Sequence, residues 1–448
     1  MKNLRFITTF TTICILITLL CPFAMAKNDG ADVQDATAPE LSSRSVLVGD
    51  AATGRILYSQ NAYTRSDPAS LTKTMMLLLA AEAVEREDVK LDDMVTASAD
   101  CYFDLDDKSS STAHIYKGET MSLRDLLYCA ALASANEACN IIAEYIAGTA
   151  KDFVAMMNSR AEELGLTGTH FANTHGMPDD NHYTTAKDLF VIQCEGMKHE
   201  LFRTLVGTEK YTTDSTNTND PRELKNTNAL INPDSVYGSD YEYEGAMGIK
   251  TGHTEAAGFC LAAAAEKNGL NLISIVLGAD GDMAGGEYFN NFDDTVKILD
   301  WAFDNFSYRD ILDTETAVAQ QTVVKDGVEG TLNLRASEKL SALVKNDEKL
   351  ENLDLKISLY EDTVNFPVEE GREVGTMEVS DQNGMVYGEV KLLAFGEPVF
   401  PEPVDEGIQG MDQMIARGIV AFLLVLTVVL LCVALKRRRR AKIKGGRR

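Results

Sequence analysis

Ser70-Leu71-Thr72-Lys73 sets a hydroxyl and an amine three positions apart, so on a helix they share one face, one turn from each other. A serine hydroxyl is a poor nucleophile at neutral pH, and a lysine beside it accepts its proton only when uncharged. The lysine pKa, ordinarily near 10.4, must then fall by about three units, roughly 4 kcal/mol of environment acting against the ammonium. Burial, a second cation and the positive end of a helix all act in that direction. Alone the pair is a weak signal, expected about once or twice by chance in a chain this long. Ser134-Ala135-Asn136 adds a second hydroxyl, able to relay a proton, and an amide able to hold a substrate amide. Lys250-Thr251-Gly252, followed by His253, adds a cation and a hydroxyl suited to an anionic group, with a glycine that lets the backbone approach a ligand. A Lys-Thr-Gly triplet is expected on the order of 0.1 times by chance, and all three motifs in this order far less often.

The flanking patterns supply elements to hold these groups. Ser45–Val48, a turn at Ala52-Thr53-Gly54, and Arg55–Tyr58 predict a β-hairpin. Pro68 fixes the chain ahead of Ser70. Met75, Met76, Leu77, Leu78 and Leu79 then predict a helix apolar almost all round, central to a core. A second helix is expected from Ser122, whose hydroxyl can cap while Asp125 lies three residues on, running through Leu126, Leu127 and Leu132; Ser134 falls where it gives way to the next apolar segment. Ala246 to Ala265 and Leu270 to Ala279 predict adjacent strands joined by a turn at Lys267-Asn268-Gly269, with Lys250 on a strand. After about residue 318 the pattern is β only. Leu353, Leu355, Ile357 and Leu359 alternate with polar residues, and Asn383-Gly384 joins Thr376–Val379 to Met385–Val390 as a hairpin.

The chain has 448 residues, 45% of them hydrophobic and 25% charged, which excludes a disordered, collagenous or disulfide-stapled protein. Its net charge of -26 is uneven. Lys2 and Arg5 precede an apolar stretch ending at Ala24-Met25-Ala26, the pattern of a secretory signal cleaved after Ala26. Gly418 to Leu435 carries no charge and is followed at once by Lys436–Arg440, the pattern of a membrane span with a basic cytoplasmic tail and an external acidic bulk. That acidic bulk would repel nucleic acid. Outside the two ends five cysteines remain, Cys101, Cys129, Cys139, Cys194 and Cys260; no two form a C-x-x-C, and no disulfide framework is expected. The predicted organisation is a signal peptide over 1–26, a linker over 27–40, a catalytic domain over 41–306, a β domain over 318–400, a spacer over 401–414, a transmembrane helix over 415–435 and a basic tail over 436–448.

His170, His175 and His182 lie close together, but no H-E-x-x-H or acidic triad accompanies them, so they are expected to pack and hydrogen-bond, with no metal and no cofactor. Glu162 and Glu163 fall in a helical stretch and are not read as a deacylating base. Taken singly, the three motifs also have plainer readings: a helix cap with a solvated lysine, a helix end and a strand end.

Taken together, Ser-x-x-Lys, Ser-x-Asn and Lys-Thr-Gly are the set of penicillin-binding proteins and class A β-lactamases. The chain most resembles the low-molecular-mass penicillin-binding proteins that are serine-type D-alanyl-D-alanine carboxypeptidases, through Pro68-Ala-Ser-Leu-Thr-Lys73, Thr169-His-Phe-Ala-Asn-Thr-His-Gly176, His182-Tyr-Thr-Thr-Ala-Lys-Asp188, and Gly248-Ile-Lys-Thr-Gly-His-Thr254 with Ala257-Gly258. The resemblance is strong over about residues 40 to 305 and weaker beyond. It implies an α/β (α+β) penicillin-binding, β-lactamase-like transpeptidase domain, an antiparallel sheet flanked by helices, followed by a small all-β domain and one transmembrane helix. It further implies that Ser70 attacks the carbonyl between the last two D-alanines of a peptidoglycan stem peptide with Lys73 as proton acceptor, that water hydrolyses the acyl-enzyme, and that β-lactams acylate the same serine. Ser134 would pass the proton to the leaving amine, Asn136 would orient the peptide, Lys250 and Thr251 would bind its terminal carboxylate, and Gly252 would open the strand. The N–H groups of Ser70 and His253 would form the oxyanion hole. A β-lactamase-like hydrolase and a catalytically silent wall-binding scaffold are the rival readings.

Overall fold

The computed structural model describes residues 32–105, 111–238, 240–282, 288–382, 384–402, 415 and 417–423. The expected signal peptide and most of the expected span lie outside these residues. Among the described residues no helix is long and apolar enough to cross a membrane.

The chain forms two compact units, one running to Ile311 and including Ser341–Asp354 and Ser380–Tyr387, the other comprising Leu312–Leu340, Leu355–Val379 and the chain from Gly388 onward. In the first unit, β1 (Ser45–Asp50) and β2 (Ile56–Gln60) form the expected hairpin. A 3-10 turn, Ala69–Thr72, carries Ser70 into α1 (Lys73–Glu85). The motif was expected on an α-helix; instead the serine stands one element earlier, and the three-residue repeat of the tighter turn stacks positions i and i+3 more directly. The small pair β3 (Met94–Thr96) and β4 (Thr120–Ser122) leads into α2 (Leu123–Ala131), where Ser122 Oγ accepts from the Asp125 N–H at 3.1 Å. There follow α3 (Asn136–Ala147), α4 (Ala150–Glu163), which holds Glu162 and Glu163, α5 (Ala186–Gly196), α6 (Glu200–Gly207) and a second small pair, β5 (Lys210–Thr212) with β6 (Glu223–Lys225).

The stretch read as Ala246–Ala265 is two strands, β7 (Ala246–Thr254) and β8 (Gly258–Lys267), and β9 (Leu270–Ala279) follows a turn in which Asn268 and Gly269 both adopt positive φ, as the asparagine–glycine signal requires. The sheet is antiparallel in the order β2-β1-β9-β8-β7, so β7 is its last strand. Successive side chains of β8 enter different cores: Cys260, Ala262 and Ala264 join the one built by Met75–Leu79 of α1, whereas Leu261, Ala263 and Ala265 join the one around Phe292, Ile298 and Leu299 of α7 (Asn290–Asn305). The alanine run keeps this strand thin enough for helices on both faces.

Among the described residues from Phe306 to Val399 the regular elements are β, apart from one 3-10 turn, Leu350–Asn352. The elements are β10 (Phe306–Leu312), β11 (Ala317–Lys325), β12 (Val328–Ala336), β13 (Leu340–Lys345), β14 (Asp354–Leu359), β15 (Thr363–Asn365), β16 (Glu373–Ser380) and β17 (Val386–Val399). β10 pairs with β13, and the others form a six-stranded sheet ordered β14-β16-β17-β12-β11-β15. The expected hairpin is β16–β17, with Asn383 outside the described residues. The alternating leucines and isoleucine do form a strand, but Leu355 and Ile357 are 40% and 41% exposed. β14 is an edge strand, so its apolar row flanks the core and is not covered by it.

Candidate active site

Lys73 is fully buried at the first residue of α1, and its Nζ reaches three oxygens: Ser70 Oγ at 2.8 Å, Asn136 Oδ1 at 2.6 Å and the His175 carbonyl at 2.7 Å. The arrangement accommodates an ammonium donating three bonds. It equally accommodates a neutral amine that accepts from the Ser70 hydroxyl and donates to the other two. Burial lowers the Lys73 pKa to about 8, against smaller opposing effects from Cys139 and Glu137.

Two segments press on the backbone that carries the nucleophile. Ala69, just before Ser70, has φ of 46°, in the left-handed region. A Cβ on Gly176 would lie 1.8 Å from the Ala69 carbonyl oxygen, so the His175–Gly176 loop fits only without a side chain. A Cβ on Gly252 would lie 3.1 Å from the Ser70 nitrogen and 2.9 Å from Leu71 Cδ1, which brings β7 against the nucleophile from the other side. The expected role of Gly252, close backbone approach, has this physical basis.

Ser134 sits in the link between α2 and α3 with φ of 58°, and its buried Oγ has no hydrogen-bond partner among the described residues. Ser134 lies two positions before Asn136, whose Oδ1 contacts Lys73 Nζ. Lys250 on β7 is also buried, and its Nζ donates to the Thr251 carbonyl at 3.2 Å. Burial and then the charge of Lys73 lower its pKa to about 7. Among the described residues no carboxylate pairs with Lys250, and an incoming anion would supply one. Thr251 Oγ1 lies 2.6 Å from Thr227 Oγ1 and is also hydrogen-bonded to Tyr237. His253 stacks on Phe259 with ring centroids 4.2 Å apart, which leaves its backbone as the part relevant to the site.

Several contributors were not read from the sequence. The His175 carbonyl acts through a backbone atom, which no residue-type pattern marks. Thr227 and Tyr237 come from the loop before β7, where Asn226, Asn228 and Asn232 are all buried; three asparagines in seven positions are a signal for a hydrogen-bonded loop, though not for its destination. His182 accepts from the Ala172 N–H through Nδ1 at 3.0 Å, so Nε2 carries the proton and donates to Thr72 Oγ1 at 2.7 Å, and Thr72 in turn donates to the Ala69 carbonyl at 2.8 Å. Burial lowers the His182 pKa to about 4 and that of His175 to about 3, keeping both rings neutral. His170 Nδ1 lies 2.6 Å from the Asn181 carbonyl. The three histidines thus brace the loop.

Among the described residues, the His, Cys, Asp and Glu side chains close enough to share a metal are Glu82, Glu195 and His199, away from the three motifs. Arg160 already bridges Glu82 and Glu195 at 2.7 and 2.9 Å. Cys101, Cys129, Cys139, Cys194 and Cys260 are all buried and free.

The family model described as D-alanyl-D-alanine carboxypeptidase matches residues 32–281. The chain belongs to that family. The model for the C-terminal domain of penicillin-binding protein 5 matches residues 306–397, which accounts for the β sheet of the second unit. D-alanyl-D-alanine carboxypeptidase DacF of Bacillus subtilis is 32% identical over 381 residues, covering 85% of this chain and 91% of that protein. DacC of Escherichia coli is 30% identical over 361 residues, 80% of this chain and 84% of that one. The crystal structure of penicillin binding protein 6B from Escherichia coli superposes with a TM-score of 0.60 at 26% identity, over 80% of this chain and 96% of its own. This carboxypeptidase is therefore a serine-type peptidase with the penicillin-binding transpeptidase fold. Peptides ending in D-Ala-D-Ala and β-lactams are the ligands that fit its family.

Proposed function

We propose that Ser70 is the nucleophile and Lys73 its base, in a membrane-anchored carboxypeptidase that trims the terminal D-alanine from stem pentapeptides outside the cell. The contact that carries this reading is the 2.8 Å approach of a buried, pKa-lowered amine to the serine hydroxyl. Neutral Lys73 takes the Ser70 proton as Oγ bonds to the carbonyl carbon of the penultimate D-alanine. The developing oxyanion is met by the N–H groups of Ser70 and His253. On collapse the C–N bond breaks, and the leaving amine takes a proton that passes from Lys73 through Ser134, whose Oγ has an open bonding position. Water then attacks the ester, and Ser70 recovers its proton.

Lys250 and Thr251 hold the substrate's terminal carboxylate, an anion that restores the full charge of Lys250. Asn136 orients the peptide. The extended substrate lies along β7, which ends its sheet and offers a row of backbone groups for strand addition. A base of pKa near 8 beside the hydroxyl favours catalysis over the silent-scaffold reading. The uncharged stretch from Gly418 to Leu435 and the basic run after it favour a single-pass anchor with the active site outside.

Incubation with penicillin followed by peptide mass spectrometry gives one adduct, on Ser70, and incubation with a D-Ala-D-Ala peptide gives a product shorter by one alanine. An adduct on another residue, or one that survives Ser70→Ala, overturns the assignment. Rapid turnover of the penicilloyl ester would favour the β-lactamase reading. The anchor is tested by fractionation: the whole chain sediments with membranes, and a chain ended after residue 402 stays in the supernatant.

A further inference from the structure

We propose that Glu137 is a positioning residue for the carboxypeptidase reaction: it fastens the Ser134–Asn136 turn to residues 111–115 and supplies the negative charge against which Lys73 holds or releases its proton. The proposal rests on the reading of Lys73 as base.

Glu137 is fully buried in the first turn of α3, next to the asparagine that contacts Lys73. Its Oε1 accepts from Thr112 Oγ1 at 2.8 Å, the Ala113 N–H at 2.8 Å and the Ile115 N–H at 3.3 Å. Its Oε2 is buried with no hydrogen-bond partner among the described residues. The carbonyls of the same segment go to Arg222, which donates to Ala113 through Nε at 2.8 Å and to His114 through Nη2 at 3.1 Å, and Glu119 pairs with that guanidinium at 2.8 Å. The segment is thus held on its amide side by a carboxylate and on its carbonyl side by a cation. Ser111 closes the tie by accepting from the Asn136 N–H at 2.9 Å. Asn136 and the strained Ser134 are therefore placed by a brace, and Glu137 is its member nearest the chemistry.

A carboxylate that served only as a brace would be better solvated, or bonded through both oxygens. This one keeps an oxygen free in the interior, where charge acts at long range. The titratable groups around Lys73 are Glu137 and Cys139 from α3, His175 and His182 from the loop, and Lys250 from β7. At neutral pH both histidines are uncharged and the Cys139 thiol, pushed up to about 11 by burial, is protonated. Glu137 is then the negative partner of Lys73 in this set, opposing the desolvation that strips its proton.

The test compares Glu137→Gln, which keeps an oxygen acceptor and loses the charge, with wild type and with Arg222→Met, which loosens the brace without changing the charge beside Lys73. The readout is the second-order rate of acylation by a fluorescent penicillin at pH 5.5 and 9.5. Lowering the Lys73 pKa by about half a unit to one unit makes the Gln-to-wild-type rate ratio about 3- to 10-fold larger at pH 5.5 than at pH 9.5. The Arg222 variant loses rate by the same factor at both. A Glu137→Gln ratio equal at the two pH values overturns the charge assignment. If Glu137→Gln does not fold, Glu137→Asp takes its place: a rate lowered evenly at both pH values supports the proposal, and a pH-dependent ratio overturns it. A wild-type rate that is itself flat with pH would instead sink the reading of Lys73 as base.

Discussion

The most exposed consequence of the site is its dependence on pH. In the proposed mechanism acylation needs Lys73 neutral and Lys250 charged, yet burial, joined for Lys250 by the charge of Lys73, places their pKa values at about 8 and about 7, the reverse of the convenient order. At pH 7.5 about a quarter of Lys73 is neutral and about a quarter of Lys250 is charged, so about one molecule in seventeen holds both states together. Below this optimum neutral Lys73 vanishes, and above it charged Lys250 vanishes, so the rate of acylation by penicillin follows a bell. Its limbs, near 7 and 8, belong to the pair and not to single residues. Moving two units either way, to pH 5.5 or 9.5, lowers the rate about 20-fold. Stopped-flow measurement with a fluorescent penicillin across that range reads this directly. Lys250→Arg keeps its charge far above pH 9.5 and should remove the alkaline fall while leaving the acid one. A wild-type rate constant from pH 5.5 to 9.5 would refute the argument, since no amine of such pKa could then be the base.

Gly252→Ala should slow acylation about 10- to 100-fold, because a Cβ 3.1 Å from the Ser70 nitrogen displaces either β7 or the nucleophile, while the overpacking destabilises the fold by about 1–3 kcal/mol. Acylation rates and melting curves on the same variant check this, and a rate within twofold of wild type would contradict the close approach. Lys250→Met should stabilise the protein at neutral pH while abolishing carboxylate recognition. Lys250 has a folded pKa of about 7 against an ordinary 10.5, so between those values the unfolded chain binds more protons and stability rises with pH; below pH 7 the full penalty, on the order of 5 kcal/mol, is present. Urea titrations should show the gain of Lys250→Met largest at pH 7 and shrinking toward pH 10; an equal gain at both would mean that the charge is not its source.

Much of this was legible in the chain because local chemistry dictated it. The Ser122 cap, the Asn268–Gly269 turn and the β1–β2 hairpin each depend on a few adjacent residues, and the motif residues Ser70, Lys73, Asn136 and Lys250 carry functional groups that announce their use. What was hidden depends on distance or on backbone. Glu137 reads as an ordinary helix-start acid until residues 112–115 fold onto it. The His175 carbonyl and the strain at Ala69 and Ser134 have no side-chain signature at all. The alternating strand at 354–359 misled in the opposite sense: a period of two establishes a strand, but whether anything covers its apolar row depends on its place in the sheet.

That β7 ends its sheet has one more implication. On the proposed binding mode, in which the peptide adds to β7, the sheet is incomplete between turnovers, made whole by each peptide and undone again on release. Catalysis would then be a repeated gain and loss of one strand, and any rigid extended molecule that finishes the sheet without offering a breakable bond would hold the enzyme idle while leaving Ser70 untouched.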